Sequence, residues 1–133
     1  MNKILSVLLL VLVTNILAAQ DQPAKVHFIR SEGFQAPAAG FTVFIDKKNV
    51  GHLNNKTWSV YNVAPGSHIF STQFAGKNPK DKAEKMEMKI ESGKTYYIRV
   101  RFKHGIFQNK LQMKMMDENE AKPLISRSRQ LKN

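Results

Sequence analysis

The sequence contains no cysteine. This excludes a lipid-modified cysteine anchor, a disulfide framework and thiolate metal sites, so stability has to come from a packed core. Acidic residues are scarce, ten Asp and Glu against 21 Lys and Arg, giving a formal charge of +11. Such a balance suits anionic partners such as lipid head groups, acidic glycans, nucleic acid or acidic proteins, and it also keeps a chain soluble. There is no internal repeat, no low-complexity tract and no linker long enough to separate two domains. The longest apolar stretch, Ile4–Ala19, is shorter than the roughly 20 residues of a spanning helix and includes Thr14 and Asn15.

That stretch has another reading. Lys3 supplies a charged start, Ile4 to Val13 an apolar core, and Ala18-Ala19 small residues before the polar Gln20-Asp21-Gln22. This is the pattern of an export signal, with cleavage expected after Ala19. Removing 19 of the 133 residues leaves 114, and the charge becomes +10 without Lys3. The expected organisation is a signal peptide at 1–19, one domain at 20–125 and a flexible basic tail at 126–133. The expected location is the periplasm or the medium.

The mature chain is a succession of short alternating runs. Lys25–Arg30, Phe41–Asp46, Val50–Leu53, Thr57–Val63 and Ser67–Phe74 read as strands. Three more runs place Met86, Met88 and Ile90, then Tyr96, Ile98, Val100 and Phe102, then Leu111, Met113 and Met115 on apolar faces. Loops are expected at Ser31–Gly40 and Ala75–Lys82, a three-residue hairpin at Lys47-Lys48-Asn49 and a type II turn at Ala64-Pro65-Gly66. Seven to eight short strands suggest an all-β fold, a small antiparallel β-sandwich. Val43, Ile98, Val100 and Met113 are the firmest core candidates. Periodicity does not decide whether Trp58, Val60 and Asn62 or Ser59, Tyr61 and Val63 face inward. Asp117–Ala121 resembles the acidic start of a short C-terminal helix, with Pro123 either in its first turn or ending it early.

Two registers can be derived. A three-residue loop at Glu91-Ser92-Gly93 would set Ile90 against Lys94, Met88 against Tyr96 and Met86 against Ile98, keeping the apolar sets on one face. Across the next connection, Phe102 would face Leu111 and Val100 would face Met113. The opposite surface then gathers Lys85, Arg99, Arg101, Lys103, Lys110 and Lys114 into a basic stripe, with Arg99 between Lys85 and Lys114.

Chemistry is sparse by comparison. His27, His52, His68 and His104 fall at no strong metal-binding spacing, and no Gly-x-Ser-x-Gly elbow occurs. Asp46, Asp81 and Asp117 suggest no acid–base pair, and the seven glycines are scattered at turns. The expectation is a non-enzymatic protein with no catalytic residue, no metal site and no cofactor. The competing expectation is a small exported hydrolase or metal-dependent enzyme, which would require His68 and His104, or another pair, to converge in a pocket.

Three segments carry a resemblance. Phe41-Thr42-Val43-Phe44-Ile45-Asp46 with Lys47-Lys48-Asn49-Val50-Gly51 resembles a "tv-I-D-gk-vG" hairpin. Val63-Ala64-Pro65-Gly66-Ser67-His68 resembles a "v-pPG-H" turn, and Glu91-Ser92-Gly93-Lys94-Thr95-Tyr96-Tyr97-Ile98-Arg99 an "e-aGktYYlr" strand. Their order is similar to that in the bacterial domain of unknown function 2846, itself similar to PEGA-type surface domains, over about Lys25 to Ala121. The resemblance implies an exported β-sandwich with no established activity and no catalytic residue to carry over. Relatives often have a lipobox cysteine, which this chain lacks. The expected role is a binding or assembly module of the cell envelope, its partner an anionic envelope component or an acidic protein. Tyr97 beside Arg99 and Arg101 is a faint echo of a single-strand nucleic-acid platform, but the export signal argues against nucleic acid.

Overall fold

A computed structural model describes residues 22–31, 40–74, 84–103, 105–106 and 110–131. The strands are β1 (Ala24–Arg30), β2 (Phe41–Ile45), β3 (Lys48–Leu53), β4 (Thr57–Val63), β5 (Gly66–Phe74), β6 (Lys85–Ile90), β7 (Thr95–Lys103), β8 (Lys110–Met116) and β9 (Arg129–Gln130). One helix, α1 (Glu118–Ser126), precedes β9. The strands form two sheets, one of order β8-β7-β1-β4-β9 and one of order β3-β2-β5-β6. The fold is therefore an all-β sandwich with a short C-terminal helix. Pairing is mostly antiparallel, but β1 runs parallel to β7 and β9 parallel to β4.

The core lies between the sheets. Val26, Phe28, Phe41, Val43, Leu53, Phe70, Ile98 and Val100 are fully buried there. Met113 joins them, so all four of the firmest core candidates are inside. On β4 the inward set is Thr57, Ser59, Tyr61 and Val63. Its buried hydroxyls are satisfied: Thr57 Oγ1 donates to the Asn54 carbonyl at 2.7 Å, and Ser59 Oγ donates to the Tyr61 hydroxyl at 3.1 Å. Trp58 points the other way, where α1 gives it an apolar neighbour.

One derived register fails. β6 and β7 are not a hairpin. β6 pairs with β5 in one sheet, setting Met88 opposite His68 and Lys85 opposite Ser71. β7 belongs to the other sheet and pairs with β1 and β8. The Glu91–Lys94 turn is thus a crossing between sheets, with Gly93 at φ +67 and its N–H donating to the Gln22 carbonyl at 3.0 Å. The apolar sets of β6 and β7 do meet in one core, but from opposite sides of it. Alternation fixes the phase of a strand, and both arrangements satisfy that phase.

The β2–β3 turn also differs. Ile45 pairs with Lys48, so the turn residues are Asp46 and Lys47, at φ +51 and +68. Two successive positive angles match a type I′ turn, whose twist suits a hairpin. The extra residue appears as a bulge where Val43 faces Gly51 and Phe44 faces Asn49.

Beyond β8 the chain forms α1 and then β9. Asp117 caps α1, its carboxylate accepting from the Glu120 N–H at 2.8 Å, and Glu118 and Glu120 complement the positive helix end. Pro123 sits inside the helix rather than in its first turn and does not end it. Packing holds the helix despite the missing donor: Ala121 is buried, and Leu124 and Ile125 pack with Ile29, Met116, Trp58 and Tyr97. After the helix, the Arg129 N–H donates to the Lys56 carbonyl at 2.9 Å and the Leu131 N–H to the Trp58 carbonyl at 2.8 Å.

Candidate functional site

The register of β7 with β8 is the one the alternation demands. Arg99 faces Lys114, Arg101 faces Gln112 and Lys103 faces Lys110 on the surface, while Val100 faces Met113 and Phe102 faces Leu111 on the core side. Five cationic side chains therefore share the outer face of two adjacent strands. At about 3.4 Å per residue, the three rows extend roughly 14 Å along the sheet. Arg101, Lys103, Lys110 and Lys114 are exposed and have no acidic partner among the described residues, while Arg99 is half-buried. Lys85, expected in this stripe, lies on β6 of the opposite sheet and is not its neighbour in the register.

The stripe has defined ends. Toward the start of β7, the next row is Tyr97 opposite Met116, where Met116 is buried and both pack with α1. Toward the other end, Lys103 and Lys110 close the ladder, and the connection between them includes Gly105 and Ile106. Ile106 is 97% exposed.

Beside the stripe, under α1, lies an aromatic cluster. The His27 ring stacks on Trp58 with centroids 5.5 Å apart and tilts against Tyr97 at 5.0 Å. Burial, with Lys25 adding repulsion, holds the His27 imidazole below the usual histidine range. Burial also raises the Tyr97 phenol, and the nearby Glu118 carboxylate adds to the rise. His27 Nδ1 is buried with no hydrogen-bond partner.

His52 and His68 are occupied by architecture. His52 Nδ1 lies 3.1 Å from Thr42 Oγ1. His68 Nδ1 lies 2.6 Å from Asp46 Oδ2, and its Nε2 lies 2.8 Å from the Ala64 carbonyl oxygen. The second oxygen of Asp46 accepts the Ile69 N–H at 2.9 Å. That backbone bond first, and the His68 bond second, hold the Asp46 carboxyl below the usual carboxylate range. The pair ties the β2–β3 turn to the β4–β5 connection. His104 lies outside the described residues, so its convergence with His68 is not placed. Among the described residues, no three of His, Cys, Asp and Glu gather as metal ligands. Nor is any described helix long and apolar enough to cross a membrane.

The motif residues thus have structural work. Asp46 and His68 come from two different segments of the resemblance and meet in one bridge. A Cβ on Gly51, from the first segment, would run into the Tyr61 hydroxyl. In the third segment, the Tyr96 hydroxyl accepts the Glu91 N–H at 3.0 Å across the turn. Sequence reasoning missed the Asp46–His68 bridge because it joins residues far apart in the chain, with no local signal.

A curated protein of Haemophilus influenzae, titled "Uncharacterized protein", is 28% identical over 100 residues, covering 75% of this chain. The chain spans 56% of that relative's length. The family model described as "Protein of unknown function (DUF2846)" matches residues 20–112, from just before β1 to the middle of β8, and the chain belongs to that family.

Proposed function

We propose that this protein is an exported, non-enzymatic module of the cell envelope that binds an anionic partner through the outer face of β7 and β8. The supporting observation is the direct opposition of like charges, Arg99 to Lys114 and Lys103 to Lys110. Each such pair costs about 0.2–1 kcal/mol of sheet stability. Lysine is a common guard against strand addition at a sheet edge, and β8 is an edge strand. That accounts for Lys110 and Lys114, and because β7 is paired with β1 only as far as Arg99, Arg101 and Lys103 also lie where β8 is the one paired strand. An edge guard does not require like charges to face each other across two strands, whereas an acidic glycan, an anionic lipid surface or an acidic protein would be bound by such a face. The export reading rests on the pattern of residues 1–22, and protein recovered from the envelope should begin near Gln20 by mass spectrometry. Intact Met1–Ala19 on that material would argue against it.

The binding test uses dextran sulfate as a generic polyanion. Lys110→Glu with Lys114→Glu converts both repulsive pairs to attractive ones. The variant should melt at or above the wild-type temperature and lose at least tenfold in affinity, and wild-type binding should weaken steeply with salt. Wild-type affinity in this variant would show that the face is only solvated.

A further inference from the structure

We infer that this protein pairs with a second copy of itself through the free edge of β6, the two β6 strands running antiparallel about Met88 and joining two four-stranded sheets into one. β6 is the last strand of its sheet and is bonded to β5 on one side only. An unpaired edge offers a row of backbone N–H and C=O groups to another strand. Along this edge the exposed side chains alternate in charge: Lys85, Glu87 and Lys89 on the strand, then Glu91 just past its end. Glu91 bonds Lys94 at 2.6 Å, whereas Lys85, Glu87 and Lys89 have no ionic partner among the described residues. The opposite face of the strand carries Met86, Met88 and Ile90, with Met86 half-buried at the margin of the core.

The order of these charges selects the partner. Antiparallel pairing about Met88 sets Glu87 against Lys89 of the second copy and Lys85 against its Glu91, and two-fold symmetry repeats each pair. On the apolar face Met88 meets its own copy and Met86 meets Ile90. A slip of two residues in either direction opposes Lys to Lys and Glu to Glu, and so does a parallel pairing in register. A slip of one turns the charged face against the apolar one. The other long edges lack this self-complementarity. β8 carries Lys110 and Lys114 with no acid, and β3 carries Lys48 with no acid. A foreign strand would need the same alternation at the same spacing, which a second copy has by construction. Backbone bonding along β6, roughly six to eight hydrogen bonds, supplies the attraction, and the charges fix the register. Lys85 and Lys89 thereby guard the edge against other strands while admitting this one.

Charge exchange tests both the edge and its register, because Glu87 and Lys89 are exposed and stand outside the core. Sedimentation equilibrium of the purified chain should show monomer and dimer in exchange. Glu87→Lys alone should raise the dimer dissociation constant about tenfold or more, and so should Lys89→Glu alone, since each turns both central pairs into like charges. Mixing the two single variants should restore association to within about threefold of wild type, because each supplies the charge the other lacks. The double variant Glu87→Lys with Lys89→Glu should recover to the same extent without mixing. Recovery on mixing also shows that both single variants are folded. A wild-type chain that stays monomeric at about 0.1 mM overturns self-pairing through β6. So does a dimer whose dissociation constant Glu87→Lys leaves unchanged, which would place the contact elsewhere, and so do single variants that fail to associate when mixed.

Discussion

Replacing Gly51 by alanine tests the packing account of the family's hairpin motif. Gly51 lies on β3 with its missing side chain directed at Tyr61 on the facing sheet. An added Cβ overlaps the Tyr61 hydroxyl, while the next ring atom, Cζ, stays 3.4 Å away in ordinary contact. The ring cannot simply swing aside. It is 8% exposed, packs edge-on against Phe28 with centroids 5.9 Å apart, and its hydroxyl is bonded by Ser59. Overpacking of this kind costs about 1–3 kcal/mol. Tyr61→Phe alone removes the offending oxygen but leaves the buried Ser59 hydroxyl without its acceptor, at a cost of about 1 kcal/mol. The double variant has no clash left to relieve. It should be no less stable than Tyr61→Phe, so the two substitutions should couple favourably by about 1–3 kcal/mol. Urea melts of all four proteins measure this, and at roughly 4–8 °C per kcal/mol the effect is also visible in thermal midpoints. Additivity within about 0.5 kcal/mol would refute the clash as the reason for glycine.

Asp46→Asn keeps a residue that tolerates the left-handed turn but removes the charge accepting from Ile69 and His68. Because the Asp46 carboxyl is held below its ordinary value, its contribution is full above about pH 4 and is lost as pH falls through the lowered value. The variant should therefore show a flatter stability profile between roughly pH 2 and 5, and less stability by under about 1 kcal/mol at neutral pH because the pair is partly exposed. Identical acid limbs in denaturant titrations would remove the bridge from the account. Val100→Ala empties a fully buried site on β7 and should cost about 1–3 kcal/mol in denaturant melts. A loss under about 0.5 kcal/mol would mean that this position collapses without a cavity.

The contrast between β7–β8 and β6–β7 shows what alternation can specify. In β7 and β8 the apolar residues alternate cleanly, and Phe102 opposite Leu111 aligns both sets, so the whole register could be derived. The same reasoning applied to β6 and β7 produced a plausible hairpin that does not exist. Period-two patterning reports which face of a strand is buried and carries no information about its hydrogen-bonded neighbour. The Asp46-Lys47 turn escaped because neither residue is glycine or asparagine, although both take positive φ. Trp58 was undecidable because its burial is supplied by a helix more than fifty residues later. The basic stripe was mostly legible: five of its six cations lie on the face expected, and only Lys85, assigned through the false hairpin, does not.

The placement of β1 has a consequence for how the chain folds. This first strand is the middle one of its sheet, pairing with β4 on one side and with β7 on the other, Lys25 beside Thr95. Its second partner is synthesised only when most of the chain already exists. The sheet therefore cannot close from a local nucleus, and the loop that must be drawn together spans four intervening strands of the other sheet and β4. Topologies dominated by such distant pairings fold in milliseconds to seconds rather than microseconds. Until β7 arrives, β1 offers its open edge and apolar face to whatever is near. The least protected moment of this molecule is thus late in its synthesis, before β7 docks beside a strand that has been waiting since the beginning.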